Sequence, residues 1–376
     1  MTMSRRVVIT GIGSVNAAGH GGSSAVAAAL ARPLEAISAL KAFPVEERQS
    51  GLAAEVDDAR LMAHLDGAEV RRLSRICRMA LAACRLAASE AGLEGGPRVG
   101  LAVGSEYGDF RSGAEFFNGF LRRGPSGLSP MIFPNTVMNS MAAVVAIAVG
   151  AKAPSITLNQ ATVAGDLAVA RGAALIADGR ADAVLAGGVD EIFVDVYRGL
   201  AALGALSPMR GQGREGCRPY APDHNGPVLG EGATFVVLES LEQARERGAT
   251  IVAEVRGSAW ASLPVAPHAA PAHRRDGSRT VRRALDQAGL VPSALARCYG
   301  SGNGDPSLDD WELTLLAEDG IRDPVSLAPR FGQHGGLGAL RVAAGALAAR
   351  DGAGPALVHG IARGGCRAAL VIGEAA

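Results

Sequence analysis

Lysine is almost missing from this chain. Lys41 and Lys152 are its two lysines, and arginine supplies the rest of the 37 basic residues. The 37 acidic residues cancel them, so no basic excess exists to recruit nucleic acid or an anionic membrane. Aromatics are only 4% of the 376 residues while glycine contributes 50, which suits tight turns and close helix packing. The five cysteines, Cys77, Cys84, Cys217, Cys298 and Cys366, have no metal-ligand spacing and imply no disulfide framework, which fits a cytoplasmic protein. Cys77 and Cys84 lie a heptad apart on an Ala-rich helix and read as core thiols. The longest uninterrupted apolar run, Met141–Ala151, is too short to span a bilayer. Met1–Arg6 leads straight into Val7-Val8-Ile9, a strand rather than a signal-peptide core. Gly11-x-Gly13 lacks a third glycine and a downstream acidic residue at a strand end, so it reads as a structural turn and no cofactor is called for.

What is present is organised around Pro154–Glu191, PSITLNQATVAGDLAVARGAALIADGRADAVLAGGVDE. Ile156 and Leu158 alternate as in a short strand. A run of Ala, Leu, Val and Ile follows with Asp166 and Arg171 as its charges, stopped by Asp178-Gly179, and Ala183–Ala186 is a second buried strand. A helix apolar on nearly every face belongs between sheets. Strand, turn, buried helix, strand is a frame for a nucleophile at a helix N-terminus, where amide dipoles lower a thiol pKa.

The rest of the chain reads as α/β. Arg6–Gly13, Arg98–Gly104, Ala233–Leu238, Ile251–Arg256 and Arg297–Tyr299 are strands; Asp66–Gly92, Ser240–Gly248, Ser278–Gly289 and Asp309–Asp319 are helices. Ser240 and Gln243 are spaced as a capping box. Ser262–Arg275, with Pro264, Pro267 and Pro271, reads as a loop. Phe110, Phe116, Phe117 and Phe120 recur at helical spacing, as a core or subunit-interface stripe or as the wall of an acyl tunnel. Leu167–Gly187 and Leu340–Gly360, offset by 173, are identical at nine of 21 positions. That points to an internal duplication, with halves over 1–250 and 251–376.

Four segments carry a resemblance: RRVVITGIGSVNAAG at the start, FPNTVMNSMAAVVAIAVG, the organising stretch, and Cys217–Gly232, CRPYAPDHNGPVLGEG. Together they resemble β-ketoacyl-ACP synthases of the thiolase-like superfamily, whose signature R-P-F-D…G-x-x-x-G-E-G the last one follows. The resemblance implies a five-layer αβαβα sandwich, a structural hydrogen-bonding role for Glu231, and dimerisation through the counterpart of Ser155–Gln160.

It also marks what is missing. The family's nucleophilic Cys falls on Thr162, in Gln160-Ala161-Thr162. Its first His, in H-G-T-x-T-x-x-x-D-x-x-E, falls on Ser301 when Asp309 and Glu312 are aligned. Its second His falls on Gly332, with His334 two residues later, and no lysine follows Lys152. The late glycine loop reads Ala362-Arg363-Gly364-Gly365-Cys366-Arg367, without its phenylalanine but with the one thiol near the expected site. A threonine hydroxyl needs an adjacent base to act as a nucleophile.

The resemblance therefore implies a chain-length-factor-like subunit without condensing activity. Its expected partners are an active ketosynthase α subunit and an acyl carrier protein. Gln160, Thr162, Phe110, Phe116 and His334 are its pocket candidates, and no metal site is expected. Two alternatives stand beside this: acyl transfer or hydrolysis through Thr162, Ser301 and His334, and a homodimeric acyl-binding protein without catalysis.

Overall fold

The computed structural model describes residues 5–32, 36–45, 50–211, 213–270 and 279–375. Apolar runs form strands β1 (Val7–Asn16), β2 (Val99–Ser105), β3 (Ser155–Asn159), β4 (Ala183–Asp190) and β5 (Gly232–Ser240). A second set follows: β6 (Ala253–Ser262), β7 (Arg297–Gly300), β8 (Val325–Ser326), β9 (Ala356–Ile361) and β10 (Cys366–Gly373). All ten lie in one sheet, in the order β8-β7-β9-β10-β6-β1-β5-β4-β2-β3. The order is mirrored about the β6–β1 seam. β2 pairs in parallel with β3 and β4, as β7 does with β8 and β9. The β4–β5–β1 and β9–β10–β6 ladders are antiparallel. The seam is short: Val7, Val8 and Ile9 meet Val255, Glu254 and Ala253.

Helices α1 (Gly67–Arg72), α2 (Arg75–Ala91), α3 (Phe110–Arg123), α4 (Ser140–Val149) and α5 (Ala164–Ala177) belong to the first set. α6 (Leu241–Glu246), α7 (Arg279–Ala288), α8 (Pro306–Glu318) and α9 (Leu337–Arg350) follow. α5 and α9 pack on each other, and each touches strands of both half-sheets. α2 covers the outer face of β1, β4 and β5, while α7 covers β6 and β10. Leu316 of α8 joins Val281, Leu285, Leu357 and Val371 in that outer cluster. The result is the five-layer αβαβα sandwich, with α5 and α9 as its central layer. Among the described residues no helix is long and apolar enough to cross a membrane.

The duplication survives residue by residue. Ala164–Ala177 and Leu337–Arg350 have the same length and the offset of 173, and Ala183 and Ala356 open the strands that follow. The equivalent glycines Gly165 and Gly338 meet where the helices cross. A Cβ on Gly338 would sit 2.2 Å from the Asp166 amide nitrogen and 2.7 Å from the Gly165 carbonyl carbon. Beside that crossing Arg341 grips both oxygens of Asp166 at 2.8 and 2.6 Å, with both side chains buried.

Three expectations are corrected. The helix expected over Asp66–Gly92 is two, because Leu73 and Ser74 are extended. Asp66 and Glu69 close a capping box on the first, and Arg78 takes the Leu73 carbonyl at 2.8 Å at the break. The strand expected to stop at Arg256 continues to Ser262, because a bulge between Val255 and Gly257 restores its pairing with β10. The loop then runs to residue 270; 271–275 and the expected helix start at Ser278 lie outside the described residues, as do Met1–Ser4. The phenylalanine stripe is not core: Phe110, Phe117 and Phe120 are exposed on the surface of α3. Cys77 and Cys84 are buried as read, and burial pushes the Cys77 thiol up to about 11.

Candidate functional site at the head of the central helix

β3 leaves the sheet at Asn159, whose amide Nδ2 donates to the carbonyls of Ser105 at 3.0 Å and Glu106 at 2.7 Å. This ties the end of β2 to the turn that follows. Gln160 is half-buried and Ala161 exposed. The chain then closes a three-residue turn in which the Val163 amide donates to the Ala161 carbonyl at 2.6 Å. Thr162, buried in its middle, has φ 63. A β-branched residue enters this region only under strain. α5 starts two residues later, so Thr162 stands at the positive end of the helix.

A carboxylate occupies the amide of that turn. Glu106, one residue past the end of β2, accepts from Thr162 N–H and, at 2.9 Å, from Gln333 Nε2. Burial, then the nearby Asp190 charge, push the Glu106 carboxyl up to about 7. Asp190 closes β4 and accepts from Ser105 Oγ at 2.6 Å, the Glu106 and Tyr107 amides, and the Gly335 amide at 2.7 Å. Burial raises its carboxyl too, against those four donors.

Gln333 reaches the turn because its loop is threaded along the Cys217–Gly232 segment. The Gln333 amide donates to the Val228 carbonyl at 2.8 Å, and its own carbonyl accepts from Gly230 at 2.9 Å. Gly332 has φ 65, and a Cβ there would lie 2.6 Å from Gly230 Cα. A histidine at this position therefore fits neither the backbone nor the space. His334 is buried between Gly232 and Gly336; its Nδ1 accepts from the Gly336 amide at 3.1 Å. Burial lowers its pKa to about 3, more than the Gly232 carbonyl raises it, so the ring is neutral near pH 7.

Ser301 is committed elsewhere. Its hydroxyl donates to Glu312 Oε1 at 3.1 Å and accepts from the Ile361 amide at 2.9 Å. Glu312 also takes the Tyr220 hydroxyl and His359 Nδ1, each at 2.7 Å. Burial pushes the Glu312 carboxyl up, but His359, Tyr220 and the Ser301 amide together hold it below its usual range. Arg363 clamps the late glycine loop to Asp305 at 2.9 Å. Cys366 is half-buried near Val163 and Leu158, and burial raises its thiol, which disfavours the thiolate.

Among the described residues no hydrogen bond joins Thr162, Ser301 and His334 to one another. Thr162 and Gln160 share the turn, His334 lies under its glycine loop, and Ser301 faces Glu312. Phe110 stacks on Phe193, and Phe116 on Phe117 and Phe133, on the exposed face of α3. Glu231 bonds the amides of Val56 and Ile192 and pairs with Arg75 at 2.8 Å, a structural role. Glu106 and Gln333 went unnoticed in the sequence. One signal could have found Glu106: a carboxylate at the C-terminal end of a buried parallel strand, where α/β sheets place their sites. A cavity of about 900 Å³ lined by Arg5, Ala177, Trp260 and Arg283 lies at the other end of α5.

Comparison with known proteins gives the class. Residues 4–244 match the β-ketoacyl synthase N-terminal domain family. The chain is similar to 3-oxoacyl-[acyl-carrier-protein] synthase 2 of Coxiella burnetii, 31% identical over 94% of this chain and 88% of that protein. The chain belongs to the β-ketoacyl synthase family. Its fold is similar to the ishigamide ketosynthase/chain length factor, with TM-score 0.89, 26% identity, and coverage of 99% of this chain and 100% of that one. It also shares its fold with a type II polyketide synthase complex of acyl-carrier protein and ketosynthase, with TM-score 0.86, 23% identity, and coverage of 99% and 100%.

Proposed function

We propose that this chain is a non-condensing ketosynthase-like subunit, a chain length factor, that pairs with an active ketosynthase in type II chain elongation. The observation that carries this reading is Thr162 in the strained turn at the head of α5. A condensing enzyme needs a thiolate there to carry the acyl chain and neutral or charged donors facing the thioester. The named groups face the protein's own atoms instead: Glu106 accepts from the turn amide, His334 Nδ1 accepts from the Gly336 amide, and Ser301 donates to Glu312. The acyl chain would ride on the partner's thiol and be delivered by an acyl carrier protein.

Two surface features support the pairing. β3 is the end of the sheet, so its outer backbone groups are open to another strand. Phe117, Phe133, Met131, Leu121 and Ile147 stand exposed on the segment from α3 to α4, apolar side chains a partner could cover. In this reading Phe110 and Phe116 sit at the contact with the partner, where the tunnel that sets chain length is shaped.

Co-expression with a ketosynthase encoded beside it, with an affinity tag on this chain alone, tests the reading. A one-to-one complex that makes polyketide is expected, with output unchanged by Thr162→Ala. Recovery of a self-associated dimer alone, or loss of product with Thr162→Ala, would count against it.

A further inference from the structure

The carboxylate of Glu106 is bound in the way a substrate oxygen would be. It collects the Thr162 amide and, at 2.9 Å, the Gln333 side-chain amide. The site is built to hold it there. Asn159 fixes the Glu106 carbonyl at 2.7 Å, and Asp190 receives the Glu106 and Tyr107 amides. Gln333, buried, turns its donor end to Glu106 and leaves its Oε1 without a partner in the protein. A catalytic turn at a helix head would use the Thr162 N–H to receive developing negative charge on a substrate. In this chain the donor is already taken.

We propose that Glu106 is a built-in occupant of the acyl-thioester site, and that it keeps the turn at Thr162 closed to a thioester carbonyl. This deepens the partner-subunit reading and rests on it in one respect, that the Thr162 turn is the family's nucleophile position. It adds that the side chain at residue 162 is not the whole of the inactivation. A thiol restored there would face a carboxylate that repels its thiolate and holds the amide its substrate needs.

The experiment restores the nucleophile with and without the occupant. Three full-length variants are compared: Thr162→Cys, Thr162→Cys with Glu106→Ala, and Thr162→Cys with Glu106→Gln. Each is treated with iodoacetamide and, separately, with hexanoyl-N-acetylcysteamine thioester, and modification is read at residue 162 by peptide mapping. In the second reaction the introduced thiolate attacks the thioester carbonyl, the carbon–sulfur bond breaks, and N-acetylcysteamine leaves as a thiol after protonation by solvent.

The single variant should react slowly with both reagents. The Ala double variant should react about ten-fold faster or more, the equivalent of roughly one unit in the thiol pKa, and should retain the hexanoyl group. Glu106→Gln keeps the shape and removes the charge, so it reports even where the Ala variant fails to fold. Faster reaction in either double variant supports the proposal. Fast acylation of the single variant, or equal slow rates in all three folded proteins, overturns it. Neither result bears on whether the chain co-purifies with a ketosynthase, so the two readings fail separately.

Discussion

Thr162 sits at φ 63, a backbone shape that strains a β-branched side chain. Strain of this kind amounts to about 1–3 kcal/mol. Thr162→Gly should relieve part of it and raise stability to urea by about 1 kcal/mol, since glycine enters positive φ freely; a loss would mean that the threonine's contacts outweigh the strain. His334 makes a second prediction at this scale. It is neutral in the folded protein down to about pH 3, whereas the unfolded chain protonates it below about 6.5. The unfolded state therefore binds the extra proton across that window, and folding loses about 1.4 kcal/mol per pH unit as pH falls through it. His334→Asn should flatten the fall in Tm between pH 7 and pH 5; an unchanged slope would contradict the burial argument. Glu106 and Glu191, both raised to about 7 by burial, act in the opposite direction as pH rises, so the comparison is of variant against wild type. Counting from local landmarks leads to Thr162 and Ser301 as candidate positions, but at Gly332 the same count lands on a backbone that admits no histidine, and it is Gln333 beside it that reaches the turn. Glu106 was not legible in this way, because it reaches Thr162 from another strand, 56 residues earlier.

The central helices explain why so much of the fold could be read in advance. Both are apolar on almost every side, end in Asp-Gly, and repeat at an offset of 173, so their burial and their common origin were visible together. What holds them to each other was not visible, since Gly165, Gly338, Asp166 and Arg341 look unexceptional until the helices cross. Gly338→Ala drives a Cβ into the Asp166 backbone and should destabilise the protein by about 1–3 kcal/mol. Asp166→Ala leaves Arg341 charged and buried without its partner, which costs about 3–5 kcal/mol. Urea midpoints measure both, and a neutral Asp166→Ala would show that water replaces the carboxylate. The misread elements have local causes. Leu73 and Ser74 turn extended and a new helix starts after them where periodicity alone ran on, and a bulge at Arg256 restores a pairing that alternation had lost.

For the whole molecule, the proposed pairing would use the edge strand β3 and the exposed apolar residues of α3, α4 and the segment between them. The phenylalanine spacing predicted a stripe, but which way it faces is decided by packing that a helical period does not contain. Phe117 is 65% exposed and Ile147 84% exposed, so Phe117→Glu and Ile147→Glu should leave this chain's own stability nearly unchanged while breaking its complexes. Size-exclusion chromatography with light scattering reads that directly, and an unchanged complex would place the interface elsewhere. The central claim is that the partner, not this chain, carries the growing acyl group. It is tested most directly by intact-protein mass after incubation with acyl- and malonyl-loaded carrier protein, alone and with the co-expressed ketosynthase. The account predicts that only the ketosynthase gains an acyl mass while the two chains stay together. An acyl mass on this chain, at Thr162 or anywhere else, would contradict it.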